Sequence, residues 1–117
     1  MQIKFLEIAQ LELDDAFRYY ENQQEKLGYR FVNEVKITVE LIKYYPEGWH
    51  PLSNNTRRCL VKNFPYGIIY QFKEDMILIL AVANLHRKPS FWKERIDKNE
   101  KLFPFRNINS FNCILLN

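Results

Sequence analysis

The spacing of apolar residues changes from a helical period to a period of two near the middle of the chain, and this change constrains the fold most. Between Glu7 and Lys26 no glycine or proline interrupts a stripe of apolar side chains at helical spacing, and a similar stripe recurs between Tyr29 and Tyr45. Such stripes are typical of amphipathic helices that bury one face. Gly28 lies between them, where a helix C-cap is expected. The first half therefore predicts a helical hairpin.

Alternating apolar residues predict strands on both sides of this hairpin. Met1–Leu6 alternates before it, and three runs follow a turn-rich loop at 46–56, namely Arg57–Phe64, Gly67–Phe72 and Met76–Ala83. The last run is apolar on both faces, which is typical of a central strand covered on both sides. The expected fold is α+β: a curved antiparallel β-sheet in the order β-α-α-β-β-β, with the helical hairpin packed on one face.

Length and composition restrict the class of protein. At 117 residues the chain fits one domain, which we expect at residues 1–96, followed by an extension at 97–117 with no clear period. No apolar run approaches the ~20 residues that a membrane span needs, and the first residues lack the features of a secretion signal. Cys59 and Cys113 match no metal-ligand spacing. These patterns predict a cytoplasmic protein without a metal or cofactor.

Charge is unevenly distributed along the chain. Residues 1–50 hold six lysines and arginines against nine acidic residues, whereas residues 51–117 hold eleven against five. A basic second half is typical of a surface that faces nucleic acid or an acidic partner. The alternative is that these basic residues are scattered and only keep the protein soluble.

Three segments of the chain occur together, in the same order, in a known family. These segments are LELDDAFRYYENQQEKLGYRFVNEV, RRCLVKNFPYGIIYQF and ILILAVANLHRKPSFWKER. Over residues 1–96 the chain resembles the RelE/ParE superfamily of type II toxin–antitoxin systems, and its ParE-like plasmid-stabilisation branch most closely. In that branch the last strand usually ends in a histidine, and Asn84 occupies this position here. His86 lies two residues further along and would share a strand face with Asn84.

The resemblance implies a growth-inhibiting toxin that a cognate antitoxin neutralises, with a homodimer and a heterotetramer with the antitoxin both open. ParE-type toxins poison DNA gyrase and replication by binding, which requires no general acid or base. RelE-type toxins are metal-independent endoribonucleases that cut messenger RNA on the ribosome. The asparagine at position 84 favours the gyrase target. An inactive interaction module is a third alternative.

A ribonuclease would need a base, fixed cations and an acid around one phosphate. Arg58 and Lys62 would supply cations from one face of the first meander strand. Arg87 matches the arginine that precedes the proline and aromatic pair of the family. His86 is the proton carrier nearest to this cluster. Each of these side chains also has a structural interpretation, because solvent-facing charge on a strand is normal.

A second set of residues is expected to bind the target or its nucleic acid. Tyr66 lies at the tip of the first hairpin of the meander, Phe91 and Trp92 could stack on bases, and Arg95 adds a cation. The structural alternative makes Tyr66 a turn residue and the aromatic pair a lid over the end of the core. Glu12 and the other acidic residues of the helices are expected to form a solvated face.

Overall fold

A computed structural model of the protein describes residues 2–97 and the backbone of residues 106–107. Its elements are, in chain order, β1 Gln2–Phe5, α1 Glu7–Gln23, α2 Leu27–Tyr44, β2 His50–Ser53, β3 Thr56–Leu60, β4 Tyr66–Lys73, β5 Met76–Asn84, α3 Lys93–Asp97 and β6 Arg106–Asn107. Cys113 and most of the expected extension lie outside the described residues. None of the described helices is both long and apolar enough to cross a membrane.

The predicted α+β architecture is confirmed, with the helical hairpin α1–α2 packed on one face of a single sheet. The strand order is β2-β3-β4-β5-β1-β6. The sheet is mixed rather than wholly antiparallel, because β1 runs parallel to β5 with Ile3 beside Ile77 and Phe5 beside Ile79. The strand β2, absent from the sequence prediction, adds one reversal of the chain, so that β5 runs in the direction of β1.

The strand β2 forms within the segment that the sequence predicted as a loop. It is a short edge strand in which His50 aligns with Arg58 and Pro51 with Arg57, and its register shifts between Pro51 and Ser53. Proline cannot donate a hydrogen bond to a ladder and is tolerated at a sheet edge. The four residues show no apolar alternation, so the sequence carried no strand signal there.

The first meander strand is shorter than predicted, because β3 ends at Leu60 and residues 61–65 form the turn into β4. The backbone N–H of Val61 donates to the carbonyl of Tyr66 and closes this turn. The next reversal is a two-residue turn in which Glu74 and Asp75 have φ angles of 52° and 62°. Positive φ at both positions is typical of the turns that join twisted antiparallel strands.

Gly28 is not a C-cap, which corrects the sequence interpretation. It is buried inside α2, and a Cβ there would lie 2.6 Å from the carbonyl oxygen of Phe17 in α1. The left-handed residue between the helices is Lys26, with φ 74°. The Glu21 carboxylate accepts the backbone N–H groups of Lys26 and Gly28, both at 2.9 Å. Gly28 therefore allows the two helices to approach closely.

The core lies between the hairpin and the sheet. Its fully buried members include Leu13 of α1, Phe31 of α2 and Ile68 of β4. At one end of the core an aromatic cluster joins helices and strands, and its members are Tyr20, Phe31, Phe64 and Tyr66. Since these rings come from four separate elements, the cluster fixes the β3–β4 turn against the hairpin.

Candidate functional site

The chain turns sharply where β5 ends at Asn84. The Asn84 side-chain oxygen accepts the backbone N–H of His86 at 2.9 Å, and the Asn84 carbonyl accepts the N–H of Arg87 at 3.1 Å. Asparagine commonly forms local turns of this kind. His86 is exposed in the turn rather than on an extended strand. The expected shared face of Asn84 and His86 is therefore wrong, because the strand does not continue.

The turn delivers Arg87 to a carboxylate of α1. Glu12 accepts Arg87 Nη1 at 2.5 Å, Arg95 Nη1 at 2.8 Å and Arg95 Nη2 at 2.9 Å. It also accepts the backbone N–H of Val82 at 3.1 Å, while Arg95 Nη1 donates to the carbonyl of Leu80 at 2.8 Å. Side-chain exposure is 15% for Glu12 and 9% for Arg95. A buried ion pair is tolerated when its hydrogen bonds are satisfied in this way.

The two guanidinium groups also contact one aromatic ring. The Cζ atoms of Arg87 and Arg95 lie 4.0 Å and 5.0 Å from the centroid of the Phe91 ring. These distances are within the range of cation–π attraction. Trp92, by contrast, is 3% exposed, and its Nε1 donates to the carbonyl of Pro89 at 3.1 Å. The aromatic pair is thus divided between a cation-binding ring and a core side chain.

An open cavity of about 880 Å³ lies between the start of α1 and this cationic cluster. Leu6, Ile8 and Leu11 line one wall, and Arg87 and Phe91 line the other. We call it the α1 cavity. Ile8 and Leu11 are 46% and 49% exposed, so its apolar wall is open to solvent. An apolar wall opposite fixed cations can hold a segment that carries both apolar and carboxylate side chains.

Tyr66 belongs to the aromatic cluster rather than to a free hairpin tip. Its ring centroid lies 4.9 Å from that of Phe31 and 6.1 Å from that of Tyr20. Burial raises the pKa of Tyr66, and a side-chain hydrogen bond with Asn84 opposes that rise. The cluster and this hydrogen bond connect the start of β4 to the end of β5, so that Tyr66 supports the turn that places Arg87.

The remaining cations are spread over the sheet. Arg58 aligns with Ile69 and its neighbour Cys59 with Ile68, so Arg58 and Cys59 point to opposite faces of the sheet. The Arg58 side chain lies against Gly67, where a Cβ would be 3.0 Å from Arg58 Cδ. Lys62 is exposed in the β3–β4 turn and is no longer on the strand face of Arg58. Arg58 thus projects from within β3, whereas Arg87 lies in the turn after β5 and is bound by Glu12 of α1.

Sequence reasoning missed Glu12 as the centre of the site. Its signal was its place on α1, since Glu12 lies at helical spacing from Ala9 and Ala16, both of which are buried. A carboxylate at the border of a buried stripe requires a hydrogen-bonding or charged partner, whereas a fully solvated carboxylate does not. Within residues 2–97 no group of three or more histidine, cysteine or acidic residues converges as a metal site would require.

A family model matches most of the chain, and a solved structure shares its fold. The family model described as the ParE toxin of type II toxin–antitoxin system, parDE, matches residues 3–89. Among solved structures, a chain of the chromosomal ParDE TA system from P. aeruginosa superposes with a TM-score of 0.53 at 19% sequence identity. That alignment covers 72% of this chain and 95% of the other. No curated protein matches the sequence.

Proposed function

Because the chain belongs to the ParE toxin family of type II toxin–antitoxin systems, we propose that it arrests growth by binding DNA gyrase and that a cognate antitoxin neutralises it. The alternative function within the same superfamily is that of RelE-type toxins, which cut messenger RNA on the ribosome. The choice between gyrase binding and RNA cleavage depends on the described residues: cleavage needs side chains arranged for proton transfer, whereas gyrase inhibition needs only a binding surface.

The arrangement of the cations supports binding. A metal-independent ribonuclease needs cations and a proton carrier around one phosphate, whereas Arg87 is bound by Glu12 and Lys62 lies in the β3–β4 turn, off the strand. Arg87 carries the proposal: Glu12 and Phe91 hold its guanidinium, yet the side chain is still 44% exposed. A guanidinium that is fixed and exposed is suited to bind a carboxylate or a phosphate.

Other predicted site residues have supporting roles in this proposal. Phe91 presents its ring beside Arg87 and forms part of the contact surface. Trp92 is buried and Arg95 is largely buried beneath them; both hold the segment in place, and Tyr66 supports the preceding turn. We assign the target contact to Arg87 and Phe91 because these two side chains are accessible at the end of β5.

The antitoxin contact is proposed for the α1 cavity and the strand edge beside it. The cavity has an exposed apolar wall and, opposite it, the cations Arg87 and Lys88; the carboxylates Glu7 and Glu94 line it as well. An acidic, partly apolar segment lying there would cover Arg87 and would neutralise part of the basic second half of the chain. We place both interactions in the cytoplasm, where gyrase acts.

The purified protein, DNA gyrase and relaxed plasmid test the target directly. We expect the protein to abolish supercoiling and to increase the amount of cleaved plasmid. An Arg87→Ala variant should inhibit about tenfold less potently, equivalent to ~1.4 kcal/mol of binding free energy. Lys73→Ala is the matched control, because it removes an exposed cation from the other end of β4 and should leave inhibition unchanged.

Primer extension on ribosome-bound messenger RNA distinguishes the alternative. Unimpaired supercoiling by gyrase, together with codon-linked cuts in the message, would replace the proposal with a ribonuclease. If neither activity appears and expression leaves growth unaffected, the chain is an inactive interaction module. Growth arrest with inhibited gyrase and intact message is the result that the proposal requires.

A further inference from the structure

The solvent-facing side of α2 carries large apolar side chains. Ile37, Leu41 and Tyr44 are 48%, 40% and 70% exposed. They follow one another at intervals of four and three residues, so they form one continuous stripe along the helix, which we call the α2 stripe. The buried side of α2, which includes Val35 and Val39, points away from this stripe. A surface helix normally has a polar side toward solvent, so the α2 stripe departs from the usual pattern.

Two further aromatic residues extend this apolar surface beyond the end of α2. Tyr45 is 64% exposed, and the Nε1 of Trp49 donates to the carbonyl of Leu41 at 3.4 Å. Contiguous apolar surface that is open to solvent commonly marks an interaction site. None of the residues that line the α1 cavity belongs to α2. The α2 stripe is therefore a surface separate from the one proposed for the antitoxin.

The spacing along the α2 stripe indicates how it could be covered. Arg30, Ile37 and Tyr44 recur at intervals of seven residues, which is the repeat of helices that pack along one another at a shallow angle. Arg30 is exposed, and none of the salt bridges within residues 2–97 includes it. Arg30 and Tyr44 each lie about 10 Å from Ile37 along the helix axis. A stripe with a cation at one end and an aromatic ring at the other complements a second copy of itself that runs in the opposite direction.

We propose that the α2 stripe is a homodimer interface, in which two copies of the chain pack their α2 helices antiparallel about a two-fold axis at Ile37. Ile37 then contacts Ile37 of the partner subunit, and Arg30 lies over the ring of the partner's Tyr44. The symmetry repeats this cation–π contact at the other end of the interface. The α1 cavity stays open in such a dimer, and the inference does not depend on the target of the toxin.

The carboxylates beside the α2 stripe are compatible with this pairing. Glu34 and Glu40 lie three residues before and after Ile37, which places them about 60° to either side of it around the helix. Antiparallel two-fold pairing brings each flank of the stripe to the same flank of the other copy, so Glu34 does not meet the partner's Glu40. The two copies of Glu34 are separated by about 9 Å along the helix axis, and Glu34 also accepts Asn63 Nδ2 at 3.0 Å.

An acidic segment of the antitoxin fits the α2 stripe less well than a second copy does. Such a segment would meet Glu34 on one flank and Glu40 on the other, and like charges across an interface are unfavourable. A second copy instead brings Arg30 to an aromatic ring and apolar side chains to apolar side chains. The occupant of the α2 stripe is therefore assigned as the partner subunit.

Sedimentation equilibrium of the purified full chain tests the dimer. We expect a monomer–dimer equilibrium with a dissociation constant in the micromolar range, because a single pair of helices makes a small interface. Ile37→Glu and Ile37→Lys each place two like charges against one another at the axis and should weaken the dimer at least about tenfold. Leu60→Glu is the matched control: it makes a comparable change at a 57% exposed position of β3 and should leave the dimer unchanged. Circular dichroism verifies that all variants are folded.

An equimolar mixture of Ile37→Glu and Ile37→Lys tests the position of the axis. Each variant alone brings like charges together, whereas a mixed dimer brings a carboxylate to an ammonium group. We expect the mixture to recover dimerisation that neither variant shows alone. Recovery is specific to a two-fold contact at residue 37, because in any other register the new charge would meet a different side chain.

Three outcomes would overturn the proposal. An unchanged protein that stays monomeric at every concentration would leave the α2 stripe to a different partner. A dimer that persists in Ile37→Glu, or that is lost in Leu60→Glu, would place the interface elsewhere on the molecule. A mixture that stays monomeric, although the unchanged protein dimerises, would exclude an axis at Ile37. Gyrase takes no part in these measurements, so their failure is distinguishable from failure of the proposed toxin activity.

Discussion

The Glu12 carboxylate of α1 accepts both terminal nitrogens of Arg95, at 2.8 and 2.9 Å, across 83 residues of sequence. This bidentate pair joins the first helix to the segment after the last long strand. The same carboxylate holds Arg87, which we assign to target binding. One partly buried acidic side chain therefore connects the stability of the fold to the geometry of the proposed site.

Replacing Glu12 should destabilise the protein strongly. Glu12→Ala leaves Arg95, whose side chain is 9% exposed, without its carboxylate and leaves the Val82 N–H unpaired. Removing one partner of a buried ion pair typically costs about 3–5 kcal/mol, and urea denaturation measures the change in the free energy of unfolding. Asp15→Ala is the control, because Asp15 pairs with Arg18 on the surface with exposures of 77% and 67%. A similarly small loss in both variants would contradict the role given to Glu12.

Substituting Gly28 should separate the two helices. In Gly28→Ala the new methyl group would lie 2.6 Å from the carbonyl oxygen of Phe17, so the backbone must shift. Overpacking of this kind costs about 1–3 kcal/mol and outweighs the better helix propensity of alanine, ~1 kcal/mol. Thermal unfolding measures the loss. Gly48→Ala should cost less, since its nearest contact would be 3.3 Å, and an unchanged melting temperature for Gly28→Ala would refute the close approach.

The hydroxyl of Tyr70 should contribute measurably to stability. It donates to the carbonyl oxygen of Pro46 at 2.5 Å and ties the loop after α2 to β4. The ring is fully buried, and this burial raises the pKa of Tyr70. Tyr70→Phe should lower the free energy of unfolding by about 1 kcal/mol. Tyr44→Phe, at an exposed position, should have no effect, and equal behaviour of the two variants would argue against the hydrogen bond.

Alkaline conditions should destabilise the protein partly through Cys59. Burial raises the pKa of the Cys59 thiol from 9.0 to about 11. The folded state then holds the thiol proton more tightly than the unfolded state. The contribution of the protonated thiol to the free energy of unfolding is therefore complete below pH 9 and is lost as the pH rises toward 11. Between about pH 8 and pH 10 the urea midpoint of Cys59→Ala should fall less than that of the unchanged protein. Parallel pH profiles for the two proteins would exclude the effect.

The sequence predicted the fold class because its signals are local. The apolar stripes of α1 and α2 and the two-sided apolar run of β5 each identify their element without reference to distant residues. The loop between the helices and the strands was predicted as irregular because β2 contains Pro51 and no alternation. Because β2 was not predicted, the parallel pairing of β1 with β5 was also missed. The additional strand reverses the chain once more and so decides the direction of β5.

The candidate site was predicted only in part. Arg87 and Phe91 were identified from a family resemblance and Arg95 as a further binding cation, and the structure brings the three together. Glu12 was assigned to a solvated face, because helical spacing alone does not show which border of a helix meets another segment. The cations Arg58 and Lys62 were expected on one strand face, but an early turn after Leu60 separates them.

The sequence by itself determined the helices, the meander and the family of this toxin, because periodicity and short motifs depend on neighbouring residues. Only the tertiary structure decided which charges are paired. Glu12 and Arg95 are 83 residues apart and meet because α1 packs beside the end of β5. A carboxylate becomes a buried partner or a solvated charge according to what the rest of the chain places beside it, which no local pattern records.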